Sequence, residues 1–281
     1  MDFVSLFEIV PNVSDGRIPA VLRACIAAME NENVRVIHHT SDDVHNRSVI
    51  TAIGSASQVV AAAIALARVA HERIDLRAHT GVHPRMGALD VLPFVPLRDA
   101  TLDDAVTLAH RAAGRIWREL GIPSYLYGAA ASAAHRTNLA DVRRGEFEGL
   151  GAKLTDPAWQ FDYGDSAHAS AGAIAIGARS LLIAYNVELA SDDLELARSI
   201  ARTLRESGGG LRTLKALGIR LGPGRVQVSF NITDPSATPI YLVTELVRGM
   251  AARVGVDIAG SELIGLVPQA ALEISARAYE T

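Results

Sequence analysis

The sequence has little of several residue types, and each shortage excludes a class of protein. Cys25 is the only cysteine in 281 residues, so no internal disulfide framework can form, and we expect it to be a small core residue. Aromatic residues make up 5% of the chain, and the net charge at pH 7 is −4. A nearly neutral chain lacks the basic surface that nucleic acid or an anionic membrane requires. We therefore expect neither partner, whereas a local basic pocket for a small acidic ligand is compatible with these counts.

Long hydrophobic runs are also missing. The most apolar segment, Val59–Ala70, is followed at once by His71, Glu72 and Arg73 and is too short to cross a bilayer. The N-terminal residues carry no basic region before their apolar run, which is unlike a signal peptide. With 49% apolar and 21% charged residues, the composition is that of a globular protein. We expect a cytoplasmic protein with no membrane partner.

Hydrophobic periodicity predicts the same order of elements, β, α, β, β, α, β, in each half of the chain. The first set is predicted at 3–10, 18–30, 34–39, 48–54, 56–73 and 89–97. The second set is predicted at 180–189, 192–207, 214–221, 225–232, 239–254 and 262–267, with a turn at Pro223–Gly224 and a closing helix over 271–279.

This order is typical of the split βαβ, or ferredoxin-like, arrangement. We therefore predict an α/β (α+β) protein made of two ferredoxin-like βαββαβ subdomains, residues 1–178 and 179–281, packed around a ligand cleft. The first subdomain also holds a predicted helix over 102–120, a predicted strand in PSYLYG (123–128) and a stretch rich in glycine and alanine.

Polar and constrained residues are concentrated in RAHTGVHPRMGALD (77–90), between a predicted helix and a predicted strand. Its glycines allow backbone conformations that other residues avoid. Pro84 favours an extended backbone at His83, so the imidazole can be aimed reproducibly, as a general base requires. Arg85 offers a planar fork for a carboxylate. The alternative is a polar turn that simply closes the helix.

His79 and His83 are four residues apart, the spacing at which a helix can chelate a metal ion. Pro84 and the two glycines argue against a helix there, and no acidic residue lies between the histidines. We therefore expect no metal site.

The motif HPRMGALDV (83–91) is long enough to be specific. Four further segments accompany it in chain order: VPNVSDGR (10–17), HNRSV (45–49), PSYLYG (123–128) and GLVP (265–268). Together they resemble the formiminotransferase family, the transferase part of formiminotransferase-cyclodeaminase. The resemblance covers nearly the whole chain and implies two α/β subdomains, a homodimer and tetrahydrofolate as co-substrate.

The resemblance also implies a reaction of histidine degradation and one-carbon metabolism. The formimino group of N-formimino-L-glutamate moves to N5 of tetrahydrofolate and leaves L-glutamate. One alternative is a paralogous folate-dependent one-carbon transferase with a different donor or acceptor. Another is a non-catalytic folate-binding or scaffolding protein.

The family's motifs assign roles to individual residues. His83 is the expected catalytic base, which takes the proton of the attacking folate amine. Arg85 is expected to hold a substrate carboxylate or the folate glutamate tail. Asn12 either donates a hydrogen bond to the reacting centre or forms a turn. The remaining expected substrate-binding residues are His79, Asn46 and Arg47, and Arg47 is alternatively a solvated charge at a strand entry.

The family's folate-binding region corresponds to SAHASAGAIAIG (166–177) and the arginine that follows it closely. The expected folate contacts are Ser170, Gly172, Gly177 and Arg179. Ala171 stands where an aromatic residue that stacks on a ring is expected. The glycines of SGGGLR (207–212) form either a flexible lid or a connector.

The chain also departs from the family pattern. The family's loop is close to HKGEHPRMG, and this chain has Thr80 and Val82 in place of the lysine and the glutamate. Thr40 stands where an aspartate is common, and Asp42 or Asp43 would replace it only through a shifted loop. Roles for Asp42, Asp43, Asp90 and Glu262 therefore stay open, as does the identity of the donor.

Overall fold

The computed structural model describes residues 5–222 and 224–280. It divides into two compact units, and the chain passes from the first to the second between Ser180 and Leu181. Each unit contains a sheet and helices, which confirms the predicted mixed α/β class. The predicted first strand includes Phe3 and Val4, and the predicted turn includes Pro223; these residues lie outside the described residues.

The first unit begins with a ferredoxin-like set of elements. These are β1 (Leu6–Ile9), β2 (Asn12–Val13), α1 (Pro19–Glu30), β3 (Arg35–Asp42), β4 (Arg47–Ser55), α2 (Ala56–Arg73) and β5 (Leu89–Arg98). Both β1 and β2 pair with β4 and with β5, and β3 lies on the outer side of β4, all antiparallel. The strand predicted over 3–10 ends at Ile9 in the structure, and the short β2, which was not predicted, begins after Pro11, a residue with no N–H to donate.

The same sheet continues beyond β5. Helix α3 (Leu102–Leu120) leads to β6 (Ser124–Gly128), two short helices α4 (Leu139–Arg143) and α5 (Leu150–Lys153), and β7 (Ile174–Ala178). Strand β7 pairs parallel with both β5 and β6, which completes a seven-stranded sheet. No strand was predicted at β7, since its small residues form a short, fully buried run without alternation.

Helix α3 has the bounds that its sequence predicts. The Thr101 hydroxyl accepts from Asp104 N at 3.1 Å, and the Asp104 carboxylate accepts from Thr101 N at 2.8 Å, which is a capping box. Gly121 ends the helix at φ 67°, where a residue with a Cβ would be strained.

The second unit contains β8 (Ile183–Leu189), α6 (Leu194–Leu204), β9 (Leu214–Gly222), β10 (Arg225–Ile232), α7 (Ile240–Ala252), β11 (Ile258–Ile264) and α8 (Gln269–Ala278). Its antiparallel strands follow the order β11, β8, β10, β9, as the ferredoxin-like prediction requires. The last strand, predicted over 262–267, begins at Ile258 instead. The middle of β11 is polar and exposed, so no hydrophobic pattern marks it in the sequence. The strand is defined by its pairing with β8.

Different elements cover the two faces of the first sheet. Helix α2 packs between α1 and α3, and its buried residues are largely alanine and valine, which allow close helix approach. Cys25 is buried in this layer, and burial raises the pKa of its thiol to about 12. On the other face, Val142 and Leu150 pack with Met86 and Tyr125. The segment from α4 to α5 therefore lies against the chain that precedes β5.

Among the residues that the structure describes, no helix has both the length and the apolarity needed to cross a bilayer.

Candidate active site

Residues 77–88, between α2 and β5, form neither a helix nor a regular strand, as Pro84 and the glycines predict. Gly81 and Gly87 are needed for close approach rather than for an unusual φ. A Cβ at Gly81 would lie 2.7 Å from the carbonyl oxygen of His45, and one at Gly87 would lie 2.2 Å from that of Ala173. The segment is therefore held tightly against two other loops.

His79 is a structural link within this junction. Its Nδ1 accepts from Arg85 Nε at 3.1 Å, and its Nε2 donates to the carbonyl oxygen of Asn46 at 3.2 Å. These two bonds require the neutral ring with its proton on Nε2, and burial lowers the pKa of the ring in agreement. Both ring nitrogens are thus engaged, so the predicted contact of His79 with substrate has no free nitrogen to use in this arrangement.

Arg85 is held by carboxylates of its own chain. Its Nη2 donates to Glu148 Oε1 at 2.7 Å, and its Nη1 donates to Glu146 Oε2 at 3.0 Å. The side chain is 10% exposed, and the bond to Glu148 raises its pKa. The fork that the sequence assigns to a substrate anion is therefore occupied. Sequence reasoning did not single out Glu146 or Glu148.

His83 differs from His79 in the hydrogen bonding of its ring nitrogens. Its ring is half-buried, and its Nε2 is buried with no hydrogen-bond partner among the residues that the structure describes. Desolvation, together with the charges of Arg47, Arg143 and His45, lowers the pKa of His83 to about 3. The imidazole is consequently neutral near pH 7, with a nitrogen available for proton transfer.

Asn12, Asn46 and Arg47 meet beside this imidazole. Arg47 donates to Asn12 Oδ1, and Asn12 Nδ2 donates to the carbonyl oxygen of Val10 at 2.9 Å. Asn12 lies in a strand rather than a turn. Asn46, at φ 50°, accepts from Gly16 N at 3.0 Å and donates to the Thr80 carbonyl oxygen at 2.9 Å, so it links three segments.

Arg47 is not the solvated charge that the sequence left open. Burial lowers its pKa to about 10, and the nearby charge of Arg143 contributes. Its partner is the neutral amide oxygen of Asn12.

Asp90 fixes the loop that carries His83. One carboxylate oxygen accepts from Met86 N at 2.8 Å, and the other forms an ion pair with Arg143. The residue is 2% exposed, so the backbone-capping alternative for Asp90 is what the structure shows, together with this ion pair. Arg143 comes from α4, a stretch in which no motif indicated a functional residue.

These side chains converge on one small, narrow pocket. Three histidines, two arginines, one acid and two further polar residues line it: His45, His79, His83, Arg47, Arg85, Asp90, Ser14 and Asn46. No group of metal-binding residues was found in the described part of the chain.

The four expected folate contacts do not lie together. Gly172, at φ 67°, faces the junction of residues 77–88, since a Cβ there would lie 2.0 Å from the Met86 carbonyl oxygen. Ser170 O accepts from Leu76 N at 2.9 Å. Gly177 packs on the Tyr127 ring near the far end of β7, and Arg179 follows that strand. Strand geometry separates Gly172 from Arg179 by roughly 20 Å.

Several backbone hydrogen bonds tie residues 86–88 to residues 171–173. Ala88 N donates to Ala171 O at 2.9 Å, and Ala173 N donates to Met86 O at 3.0 Å. Ser14 N also donates to Ala88 O at 2.9 Å. Residues 86–88, which follow His83 in its loop, are thus paired on both sides, much like a short strand.

Asp42 and Glu262, whose roles the sequence left unassigned, each bind a neighbouring side chain. Asp42 pairs with His45 at 2.8 Å, and Glu262, in the second unit, accepts from Asn186 at 3.4 Å. Thr80 Oγ1 accepts from Arg17 at 3.2 Å, whereas Val82 is 69% exposed.

The segment 207–212 satisfies the C-terminal carbonyl groups of α6. Gly210 N donates to Arg205 O at 3.1 Å, and Leu211 N donates to Leu204 O at 2.9 Å. These bonds favour the interpretation of residues 207–212 as a connector rather than as a flexible lid.

Comparison with known families accounts for both units. Residues 6–179 match the family model described as formiminotransferase domain, N-terminal subdomain, and residues 184–281 match the one described as formiminotransferase domain. The chain belongs to the formiminotransferase family. The predicted family is therefore confirmed.

Relatives within the formiminotransferase family resemble this chain along most of its length. Glutamate formimidoyltransferase of Streptococcus pyogenes serotype M1 is 43% identical over 270 residues, covering 95% of this chain and 90% of that protein. The glutamate formimidoyltransferase of Thermoplasma acidophilum is 44% identical over 280 residues, covering 98% and 92%. Formimidoyltransferase-cyclodeaminase of Gallus gallus is 39% identical over 283 residues, but the match spans 52% of that longer protein.

Proposed function

We propose that this formiminotransferase-family chain is a glutamate formimidoyltransferase, which moves the formimino group of N-formimino-L-glutamate to N5 of tetrahydrofolate. The observation that carries the proposal is His83, a neutral imidazole with an unpartnered nitrogen in a pocket of fixed polar groups. Two relatives that match nearly the full chain carry this name.

In the proposed reaction, N5 of tetrahydrofolate attacks the formimino carbon while His83 takes the N5 proton. A bond forms between N5 and the formimino carbon, which becomes tetrahedral. The bond from that carbon to the glutamate nitrogen then breaks, and the imidazolium returns the proton to the leaving amine. Asp90 and Asn46 hold the loop during these steps, since both bind its backbone.

Tetrahydrofolate as co-substrate is part of this proposal, and so are folate contacts by Ser170, Gly172, Gly177 and Arg179. Because Gly172 adjoins the His83 loop and Arg179 follows the far end of β7, an extended ligand would be needed to touch both. We also propose that the protein acts in the cytoplasm as a homodimer.

The direct test is an assay with purified protein, tetrahydrofolate and N-formimino-L-glutamate. The folate product is followed by its absorbance after acid cyclisation. Turnover supports the proposal and makes Thr80 and Val82 tolerated changes. Absence of turnover with folate binding retained in calorimetry points to a different donor, and absence of both rejects the proposal.

The ionisation of His83 gives a second, independent prediction. Because burial and neighbouring positive charges lower its pKa to about 3, we expect the ring to stay neutral between about pH 5 and pH 8. The folded-state pKa lies below the unfolded value of about 6.5, so this group's contribution to stability is complete above that pH. It is lost progressively as the pH falls towards the folded pKa.

A histidine NMR titration measures this ionisation directly, with the His83 ring signals assigned from a spectrum of His83→Gln. We expect these signals to move little between pH 8 and pH 5, in line with a pKa of about 3. A midpoint near the ordinary value of about 6.5 would mean that solvent reaches the ring.

A further inference from the structure

Arg143 brings a second guanidinium to His83. It ends α4, and its side chain is 14% exposed. The charges of Arg143 and Arg47 both lower the pKa of His83, and Arg143 also lowers the pKa of Arg47. The geometry agrees, because Arg47 and Asp90 line the same pocket as His83 and Arg143 is paired with Asp90.

The acidic residues around His83 already have partners. Asp42 pairs with His45 at 2.8 Å, and Asp90 pairs with Arg143. These pairs leave little negative charge for any further cation in the pocket.

Arg47 is the cation that remains uncompensated. Within residues 5–222 and 224–280 it has no carboxylate at ion-pair distance, and it donates to the neutral Asn12 amide. Asp90 and Asp42 attract it only from longer range. Burying a charge without a counter-ion is costly, so this surplus positive charge favours an anionic ligand.

Two buried arginine nitrogen atoms in this region, Arg47 Nε and Arg143 Nε, have no hydrogen-bond partner among the described residues. Both are N–H donors, and buried donors are normally satisfied, so the pair indicates a missing acceptor beside the imidazole. Arg85 shows the contrast, because two glutamates engage its guanidinium.

We propose that Arg47 and Arg143 form a carboxylate-binding pair beside His83, which takes the α-carboxylate of the glutamate donor. The identity of this ligand rests on the proposed function. The α-carboxylate is the donor carboxylate nearest to the formimino carbon, so it reaches the arginines when His83 reaches the attacking amine. A bound carboxylate also offsets the positive charge that disfavours imidazolium, and therefore makes His83 a stronger base in the complex.

The test is the Michaelis constant of each substrate in Arg143→Gln. We expect the KM for N-formimino-L-glutamate to rise about 10- to 100-fold, because a charge-assisted hydrogen bond is lost. The KM for tetrahydrofolate should change by less than about twofold, since no folate contact is removed. Arg143→Lys should lie between the two, because it keeps the charge and loses the planar fork.

Arg144→Gln is the matched control. Its side chain is 79% exposed and pairs with Asp141 on the surface, so both KM values should stay at the wild-type level.

A purely structural role for Arg143 is tested separately, because Arg143→Gln also leaves Asp90 without its partner. The double variant Asp90→Asn/Arg143→Gln removes both charges and keeps an amide pair of similar size. We expect its donor KM to stay raised. A donor KM restored to the wild-type value, or one unchanged in Arg143→Gln, would overturn the proposal.

The choice of carboxylate has its own experiment. N-formimino-4-aminobutyrate lacks the α-carboxylate, so its inhibition constant should be similar in the wild type and in Arg143→Gln. A loss as large as that of the full donor would overturn the assignment to the α-carboxylate.

Failure of the carboxylate-binding pair can be separated from failure of the proposed function. Calorimetry with L-glutamate needs no turnover, and we expect Arg143→Gln to weaken this binding. An enzyme that turns over the donor, but whose Arg143→Gln variant binds L-glutamate normally, rejects the pair alone. A wild type without turnover rejects the function, whatever the variant binds.

Discussion

His83→Ala is expected to lower kcat by about 100- to 10,000-fold, the range typical of a lost general base. The ring is half-buried and its Nε2 has no partner, so no described hydrogen bond of that nitrogen is lost with it. Folate binding, measured by calorimetry, should therefore stay close to the wild-type value. A variant that transfers normally would reject the assignment of the base.

His79→Ala provides the contrast. His79 links the Arg85 side chain to the Asn46 backbone through both ring nitrogens, so we expect its loss to lower the melting temperature. His83→Ala should melt close to the wild type. If the two variants behave alike in both activity and melting, the distinction between the linking and the reacting histidine fails.

Asp162→Ala is expected to destabilise the protein by about 3–5 kcal/mol, the usual result of removing one member of a buried ion pair. Asp162 and Arg136 are paired at 2.9 Å, with side chains 9% and 7% exposed. Asp162 also accepts from Leu126 N at 2.7 Å, in the middle of β6. The substitution therefore leaves a buried guanidinium without its anion and a strand amide without its acceptor.

The measurement is urea denaturation followed by circular dichroism. Arg144→Ala removes an exposed ion pair and should cost less than about 1 kcal/mol. The double variant Arg136→Met/Asp162→Leu should recover part of the loss, because the unpaired charge is gone. A loss in Asp162→Ala as small as that in Arg144→Ala would show that Arg136 finds sufficient partners in the carbonyl oxygens of Ala158 and Gln160.

Much of the fold could be predicted from the sequence because its elements carry local signals. Helix α3 has an amphipathic pattern, a capping threonine and a terminal glycine, and its bounds were predicted correctly. Strand β10 (Arg225–Ile232) alternates buried and exposed residues and was also predicted correctly. Strand β7 was missed, because a buried run of small residues looks like a loop until its two parallel neighbours are known.

The candidate site could be predicted only in part. The loop of His83 was singled out because proline and glycine mark it in the sequence, while the role of His83 as base comes from the family resemblance and stays a prediction. Arg143 pairs with Asp90, which precedes it by 53 positions, and Glu148 accepts from Arg85, which precedes it by 63. No periodicity records such a contact, which depends on how the segment around α4 packs on the sheet. Residues of the same segment also bind the Arg85 guanidinium, which the sequence alone assigned to a substrate carboxylate.

The pairing of residues 86–88 on both sides has a consequence for motion. Loops usually open locally at little cost, but this one shares backbone hydrogen bonds with Ser14 and with residues 171–173. Opening it would break bonds on both sides at once, so it should unfold only together with the neighbouring strands. Residues 86–88 are therefore expected to be among the least mobile backbone of this loop, and they anchor it three positions after His83.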